Sequence, residues 1–276
     1  MSPAPPLRGA ARQGWDSLLA DPTQALLAFD FDGTLSPIVD DPERAYAHPD
    51  VIAVLGRLGT VVGAVAVVTG RPVASVLRLA EPAGVPGLES LVVLGQYGIE
   101  RWDAATGEFA APPPPGEIAR VRDALPGLLA DLDLAAARIE DKGRAVAVHV
   151  RTSANPVAAL ERLRVPLALL AAEHGLILEP GRLVLEMRPP GMDKGQALLL
   201  LVAERRVSTV VYAGDDLGDL AAYDAVDAWR GEGRTGLLIC SASAEQDALS
   251  RRADVVVPGP DGLVRWLAEL ADQLGV

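Results

Sequence analysis

The chain has 276 residues, half of them hydrophobic, and a formal net charge of −12. That length allows one large or two modest domains, and the apolar content argues against disorder. The acidic balance, with only isolated arginine pairs (Arg205-Arg206, Arg251-Arg252), argues against nucleic-acid binding, and no apolar run is long and unbroken enough to span a bilayer.

Met1–Ala10 lacks the apolar run of a signal peptide. From there, short apolar runs alternate with helical patterns. Strands are predicted at Leu26–Phe31, Val61–Val68, Leu91–Leu94, Thr209–Ala213, Gly236–Cys240 and Val255–Val257. Their almost continuous apolarity fits strands covered on both faces. Helices are predicted at Pro49–Leu58, Pro72–Ala80, Lys194–Arg205, Leu217–Val226, Glu245–Ser250 and Gly262–Leu274. Pro49 and Pro72 fit a first helical turn, and Asp193 fits an N-cap. Cys240, the single cysteine, excludes an internal disulfide; it reads as a small buried strand residue in a reducing, cytoplasmic setting.

The middle third breaks the rhythm. After the stiff run Pro112–Pro115, a helix is expected over Glu117–Leu134, interrupted at Pro126, then strands at Ala137–Asp141 and Arg144–Arg151. Asn155-Pro156 opens a second helix to about His174, and strands follow at Leu176–Glu179 and Leu183–Met187. Helix-strand-strand thus occurs twice. The expectation is an α/β fold: a parallel-sheet core of residues 1–112 and 189–276, with an αββ-repeat insert over 113–188.

Four elements carry chemistry. Asp30-Phe31-Asp32-Gly33-Thr34 ends the first strand, at the sheet edge where open α/β folds bind ligands. Asp30 can attack phosphorus, splitting one difficult displacement into two, and Asp32 can protonate the leaving oxygen and then activate water. Gly33 permits the tight turn, and Thr34 offers its hydroxyl and backbone N–H groups to phosphate. Thr69-Gly70-Arg71 ends the second strand ahead of a helix N-terminus, a seat for phosphate. Lys194 opens the first helix after the insert and can bring a cation to Asp30. In Gly214-Asp215-Asp216-Leu217-Gly218-Asp219, clustered carboxylates at a strand end ask for a cation, and oxygen ligands suit Mg²⁺. Asp215 is the expected ligand beside Asp30 and the main-chain carbonyl of Asp32; Asp216 and Asp219 fall just outside, Asp219 near Lys194.

An acidic turn after a strand is common by itself. The four elements in this order resemble the signature motifs of the haloacid dehalogenase superfamily, which implies a Rossmann-like core with the insert as its substrate-specifying cap. Asp32, together with the lack of membrane helices, separates the chain from the transport ATPases of that superfamily. Gly95-Gln96-Tyr97-Gly98-Ile99-Glu100, Glu140-Asp141-Lys142-Gly143, His149-Val150-Arg151 and Leu185–Pro189 resemble strings of the trehalose-6-phosphate phosphatase family. The resemblance implies hydrolysis of a sugar phosphate, with Glu140, Lys142, Arg151, Arg182 and Glu186 holding the sugar. Tyr97 stands where that family has His, and Leu220 where it has Glu. Other substrates stay open at this point: sucrose phosphate, mannosyl-phosphoglycerate, a hexose phosphate, or a phosphomutase reaction. A catalytically silent sugar-phosphate binder would be free to lose Asp30, Asp32, Lys194 or Asp215, and all four are present.

Overall fold

The computed structural model describes residues 7–181, 183–242 and 249–276. The chain forms two compact units, one of residues up to 111 together with 192–276, the other of residues 112–191.

In the first unit, elements run in the order α1 (Gly9–Ala20), β1 (Ala25–Phe29), α2 (Val51–Gly59), β2 (Ala64–Val68), α3 (Val73–Ala80), β3 (Val92–Gly95), β4 (Glu100–Asp103) and β5 (Phe109–Ala110). The second unit holds α4 (Gly116–Asp131), β6 (Arg138–Asp141), β7 (Val146–His149), α5 (Pro156–Glu173), β8 (Ile177–Gly181) and β9 (Val184–Arg188). The first unit then resumes with α6 (Lys194–Arg205), β10 (Thr209–Gly214), α7 (Leu220–Gly231), β11 (Thr235–Ala242), β12 (Val255–Pro258) and α8 (Gly259–Gln273).

The first unit is built on an eight-stranded sheet of order β12-β11-β10-β1-β2-β3-β4-β5, parallel from β12 to β3. β1, β2 and β3 are buried throughout, as their unbroken apolar sequences require, and alternate residues feed two cores. Ala25, Leu27 and Phe29 join the core that includes Leu18, Leu55, Val76 and Leu267; Leu26 and Ala28 join the one that includes Leu198, Leu201, Tyr223 and Val226. Helices therefore cover both faces.

Two expectations about this unit need correction. The sheet is not all parallel: β4 and β5 add antiparallel edge strands. Glu-Arg-Trp-Asp gives β4 little apolar signal, because only Trp102 is buried there. Helix α1 was not anticipated; it buries only Ala11, Gly14 and Leu18. Gly14 lies so close to the Gly236 carbonyl that a Cβ would sit 2.2 Å from its oxygen, so small residues replace the apolar stripe that signals a helix. The helix expected at Glu245–Ser250 falls largely outside the described residues.

In the second unit the sheet is antiparallel, ordered β6-β7-β9-β8. Val146, Val148, Leu185 and Met187 pack with Leu125 and Leu163 of α4 and α5 into a separate core. Pro126 does not interrupt α4, which continues through it. The proline and Arg122, whose carbonyl it leaves without a donor, are both exposed, off the buried stripe Ile118-Val121-Leu125-Leu129, so water can satisfy that carbonyl. No helix among the described residues is long and apolar enough to cross a membrane.

Candidate active site

Register aligns Phe29, Ala213 and Ile239 across β1, β10 and β11, so Asp30, Gly214 and Cys240 follow at one sheet edge. The Asp30 N–H still donates to the Ala213 carbonyl (2.9 Å), after which the chain turns. Phe31 is fully buried, and its carbonyl accepts from Leu35 and Ser36 (both 2.9 Å). Gly33 has φ +75°, and a Cβ there would stand 2.1 Å from Asp215 Oδ2. Glycine is therefore required twice, for the left-handed turn and for the close approach of that carboxylate.

Lys194, 4% exposed, is placed by α6, whose first turn Asp193 caps through the Gln196 N–H. Its Nζ lies 2.7 Å from Asp30 Oδ1 and donates to Asp219 Oδ1 at 2.8 Å. The same Asp219 oxygen accepts from the Tyr212 hydroxyl (2.6 Å), while Oδ2 accepts from the N–H groups of Asp215 (3.0 Å) and Asp216 (3.3 Å). Tyr212 was not anticipated from the sequence, where it reads only as an aromatic residue inside an apolar strand. Burial alone would lower the Lys194 pKa; Asp219 and Asp30 outweigh it and hold it well above the usual lysine range.

Carboxylate oxygens of Asp30, Asp215 and Asp219 lie within 4.8 Å of one another, all buried. Asp219 is saturated by four donors, which leaves Asp30 and Asp215 as the carboxylates that could hold a cation. Asp215 Oδ1 is buried with no partner. Burial first, and then Asp30, Asp216 and Asp219, push the Asp215 carboxyl up to about 10; burial likewise raises Asp30 well above the aspartate range despite Lys194. Such crowding fits a site completed by a divalent cation held through oxygen. Asp216 caps the turn Leu217–Asp219 by accepting from the Gly218 N–H (2.8 Å).

Thr34 is fully buried and its Oγ1 has no partner. Thr69 is buried at the end of β2 and its hydroxyl accepts from the Arg71 N–H (3.2 Å). Two expectations about this neighbourhood change. Arg71, expected at phosphate, grips Asp32 with both arms of its fork: Nε to Oδ2 at 2.6 Å and Nη2 to Oδ1 at 2.7 Å. A third bond to the Pro42 carbonyl (3.0 Å) and the face of Phe31, 5.7 Å from the guanidinium carbon, hold it there. The helix N-terminus behind Thr69 is also partly taken, because Glu100 Oε2 accepts from the Val73 N–H at 2.8 Å. The antiparallel pair Gly95–Glu100 delivers that carboxylate, which explains the string that ends at Glu100. Tyr97, at φ +60°, packs its ring and hydroxyl against Gly70: a Cβ on Gly70 would meet the phenol oxygen at 2.9 Å.

In the second unit, Glu140, Ala147, Glu186 and Glu179 stand in register across all four strands and so share one face, opposite Val146, Val148, Leu185 and Met187. Cation and anion pair across this face: Glu140 with His149 Nε2 (2.7 Å), Glu179 with Arg188 (2.8 Å), and the buried Glu186 with Lys142. Glu186 Oε1 is buried without a partner. His149, Glu179 and Arg188 join the expected residues here; strand alternation on the sequence carries that signal. Arg151 lies in the turn beyond β7, and Arg182 lies outside the described residues.

The trehalose-phosphatase family model matches residues 28–254. The chain belongs to that family. Trehalose-phosphatases are phosphoric monoester hydrolases. A trehalose-phosphate phosphatase from Mycobacterium avium is 32% identical over 99% of this chain, which spans 68% of that relative's length. The C-terminal domain of C. albicans trehalose-6-phosphate phosphatase superposes with a TM-score of 0.77 at 18% identity, covering 98% of this chain and 99% of that one. A haloacid dehalogenase-like hydrolase from Bacteroides thetaiotaomicron gives 0.57 at 16% identity, over 89% and 99% of the two chains. At these identities the likeness is one of fold, the haloacid dehalogenase type.

Proposed function

We propose that the chain hydrolyses trehalose 6-phosphate to trehalose and phosphate, with Asp30 as the nucleophile and Mg²⁺ as cofactor. The observation that carries this reading is the buried chain Asp30–Lys194–Asp219–Tyr212 beside an unpartnered Asp215 oxygen. Asp30, Asp215 and the main-chain carbonyl of Asp32 would hold the Mg²⁺, which when bound neutralises charge on the phosphoryl oxygens.

Asp30 attacks phosphorus, the bond to the sugar oxygen breaks, and an aspartyl-phosphate remains. Lys194 holds the Asp30 side chain in line and balances its charge. Asp32 gives a proton to the departing sugar oxygen and later takes one from the water that hydrolyses the acyl-phosphate. With both its oxygens held by Arg71, proton delivery requires the carboxyl group to leave that fork. Thr34 and Thr69, with Gly33 and Gly70, line the phosphate seat. Glu140, Lys142, Arg151, Arg182 and Glu186 read the sugar hydroxyls, for which carboxylates and guanidinium groups are suited. The buried, free Cys240 supports work in a reducing cytoplasm.

Phosphate release from a panel of phosphorylated sugars with Mg²⁺ tests the reading. Trehalose 6-phosphate should turn over fastest, and Asp30→Asn should eliminate turnover. Rapid hydrolysis of another ester with trehalose 6-phosphate inert would replace the substrate, and near-native Asp30→Asn activity would refute the nucleophile.

A further inference from the structure

We propose that Ser241 is a positioning residue for the phosphate seat, holding the peptide plane between Gly33 and Thr34 from across the sheet. Ser241 lies near the end of β11, one residue past Cys240, which pairs with Gly214. It is 1% exposed, and its hydroxyl donates to the Gly33 carbonyl at 2.7 Å. Ser241 itself pairs with Val257 of β12, so its backbone is held on that side by the β11–β12 ladder.

The physical reason for such an anchor lies in Gly33. The peptide before it is fixed, since the Gly33 N–H donates to the Ser36 carbonyl at 2.7 Å. The peptide after it follows a glycine at φ +75°, a residue with no Cβ to favour one rotation over another. A trans peptide is planar, with its carbonyl and N–H antiparallel, so fixing the Gly33 oxygen also aims the Thr34 N–H. That N–H reaches the Phe31 carbonyl only at 3.4 Å, a long contact that leaves it able to serve another acceptor. Thr34 Oγ1, buried and unpartnered beside it, points to the same missing acceptor. Ser241 thus aims the Thr34 N–H, which its long local contact would hold only weakly.

This inference rests on the reading of the turn as the phosphate seat, and the test separates the two. Full-length wild type, Ser241→Ala, Ser241→Thr and Ser241→Val would be assayed with trehalose 6-phosphate and Mg²⁺, and for inhibition by orthovanadate. Thr keeps the hydroxyl; Val has nearly the same shape without it. Ala and Val should lower kcat about tenfold, the scale of one aimed hydrogen bond, and weaken vanadate inhibition by a similar factor. KM, carried by the sugar contacts, should stay within about twofold, and Thr should restore kcat and vanadate affinity. A merely structural hydroxyl would lower thermal stability without this split. Ala matching wild type in kcat and vanadate affinity, or Thr and Val falling alike, would overturn the inference while leaving the phosphatase reading intact. A wild type that releases phosphate from no ester would overturn that reading and this inference with it.

Discussion

Lys194 stands between two carboxylates, 2.7 Å from Asp30 and 2.8 Å from Asp219, and one ammonium serves both. Removing it leaves two buried carboxyl groups without the cation that both of them bind. Lys194→Met should abolish turnover and cost about 3–5 kcal/mol in metal-free protein, the scale of a broken buried pair. Urea unfolding monitored by circular dichroism checks the stability; a loss under 1 kcal/mol would mean the pair is solvated.

Asp215 makes the metal site dependent on pH. Its carboxyl is pushed up to about 10 in the folded chain, by burial first and neighbouring aspartates second, against about 3.9 when unfolded. Between those values the folded state holds a proton the unfolded state lacks, so metal-free stability falls as pH rises through that window. Mg²⁺ competes with that proton, and the rise in Tm on adding Mg²⁺ should be larger at pH 8.5 than at pH 6. Asp215→Asn should lose the Mg²⁺ shift and activity, yet be no less stable than wild type without metal. An equal Mg²⁺ shift at both pH values, or in Asp215→Asn, would count against this account.

Gly33→Ala should damage function beyond its cost in stability. The left-handed turn costs about 1–2 kcal/mol with a Cβ, and that Cβ also collides with Asp215. Gly84→Ala is the control: φ is +74° there, but nothing lies within 4 Å of the added carbon. Both variants should lose Tm, and only Gly33→Ala should lose phosphatase activity and the Mg²⁺ shift. Equal activities would separate Gly33 from the metal site.

The charged face of the second unit should govern substrate choice. Lys142→Met and Glu186→Gln should each raise KM for trehalose 6-phosphate about tenfold or more, while hydrolysis of p-nitrophenyl phosphate, which has no sugar to read, stays near wild type. Parallel losses on both esters would place these residues in folding rather than recognition.

Much of this was legible in the sequence because buried parallel strands announce themselves as apolar runs, and three of the four motifs sit where such a run ends, while Lys194 opens a helix. The expected place of Asp219, near Lys194, is where the structure puts it. What escaped was set by tertiary partners. Arg71 follows a strand and precedes a helix, as a phosphate ligand would, but only coordinates put its fork on Asp32. Glu100 has no role in the sequence beyond ending a string of family resemblance, and strand β4, too polar to recognise, delivers it to the Val73 N–H. Pro126 leaves its helix unbroken because a helix-breaking residue is tolerated where the orphaned carbonyl meets water.

The pairing of β1 has a consequence for how the protein is made. β1 gains its β2 neighbour early, but its other edge waits for β10: Ala25 pairs with Thr209, about 180 positions later. At ordinary ribosomal speeds of about 5–20 residues per second, that edge stays open for roughly 10–40 s. During the wait, residues 112–191 emerge with a core of their own. An unpaired apolar strand is an aggregation hazard for that interval, so ribosome stalling between the two halves of the sheet should lower soluble yield more than stalling after β10.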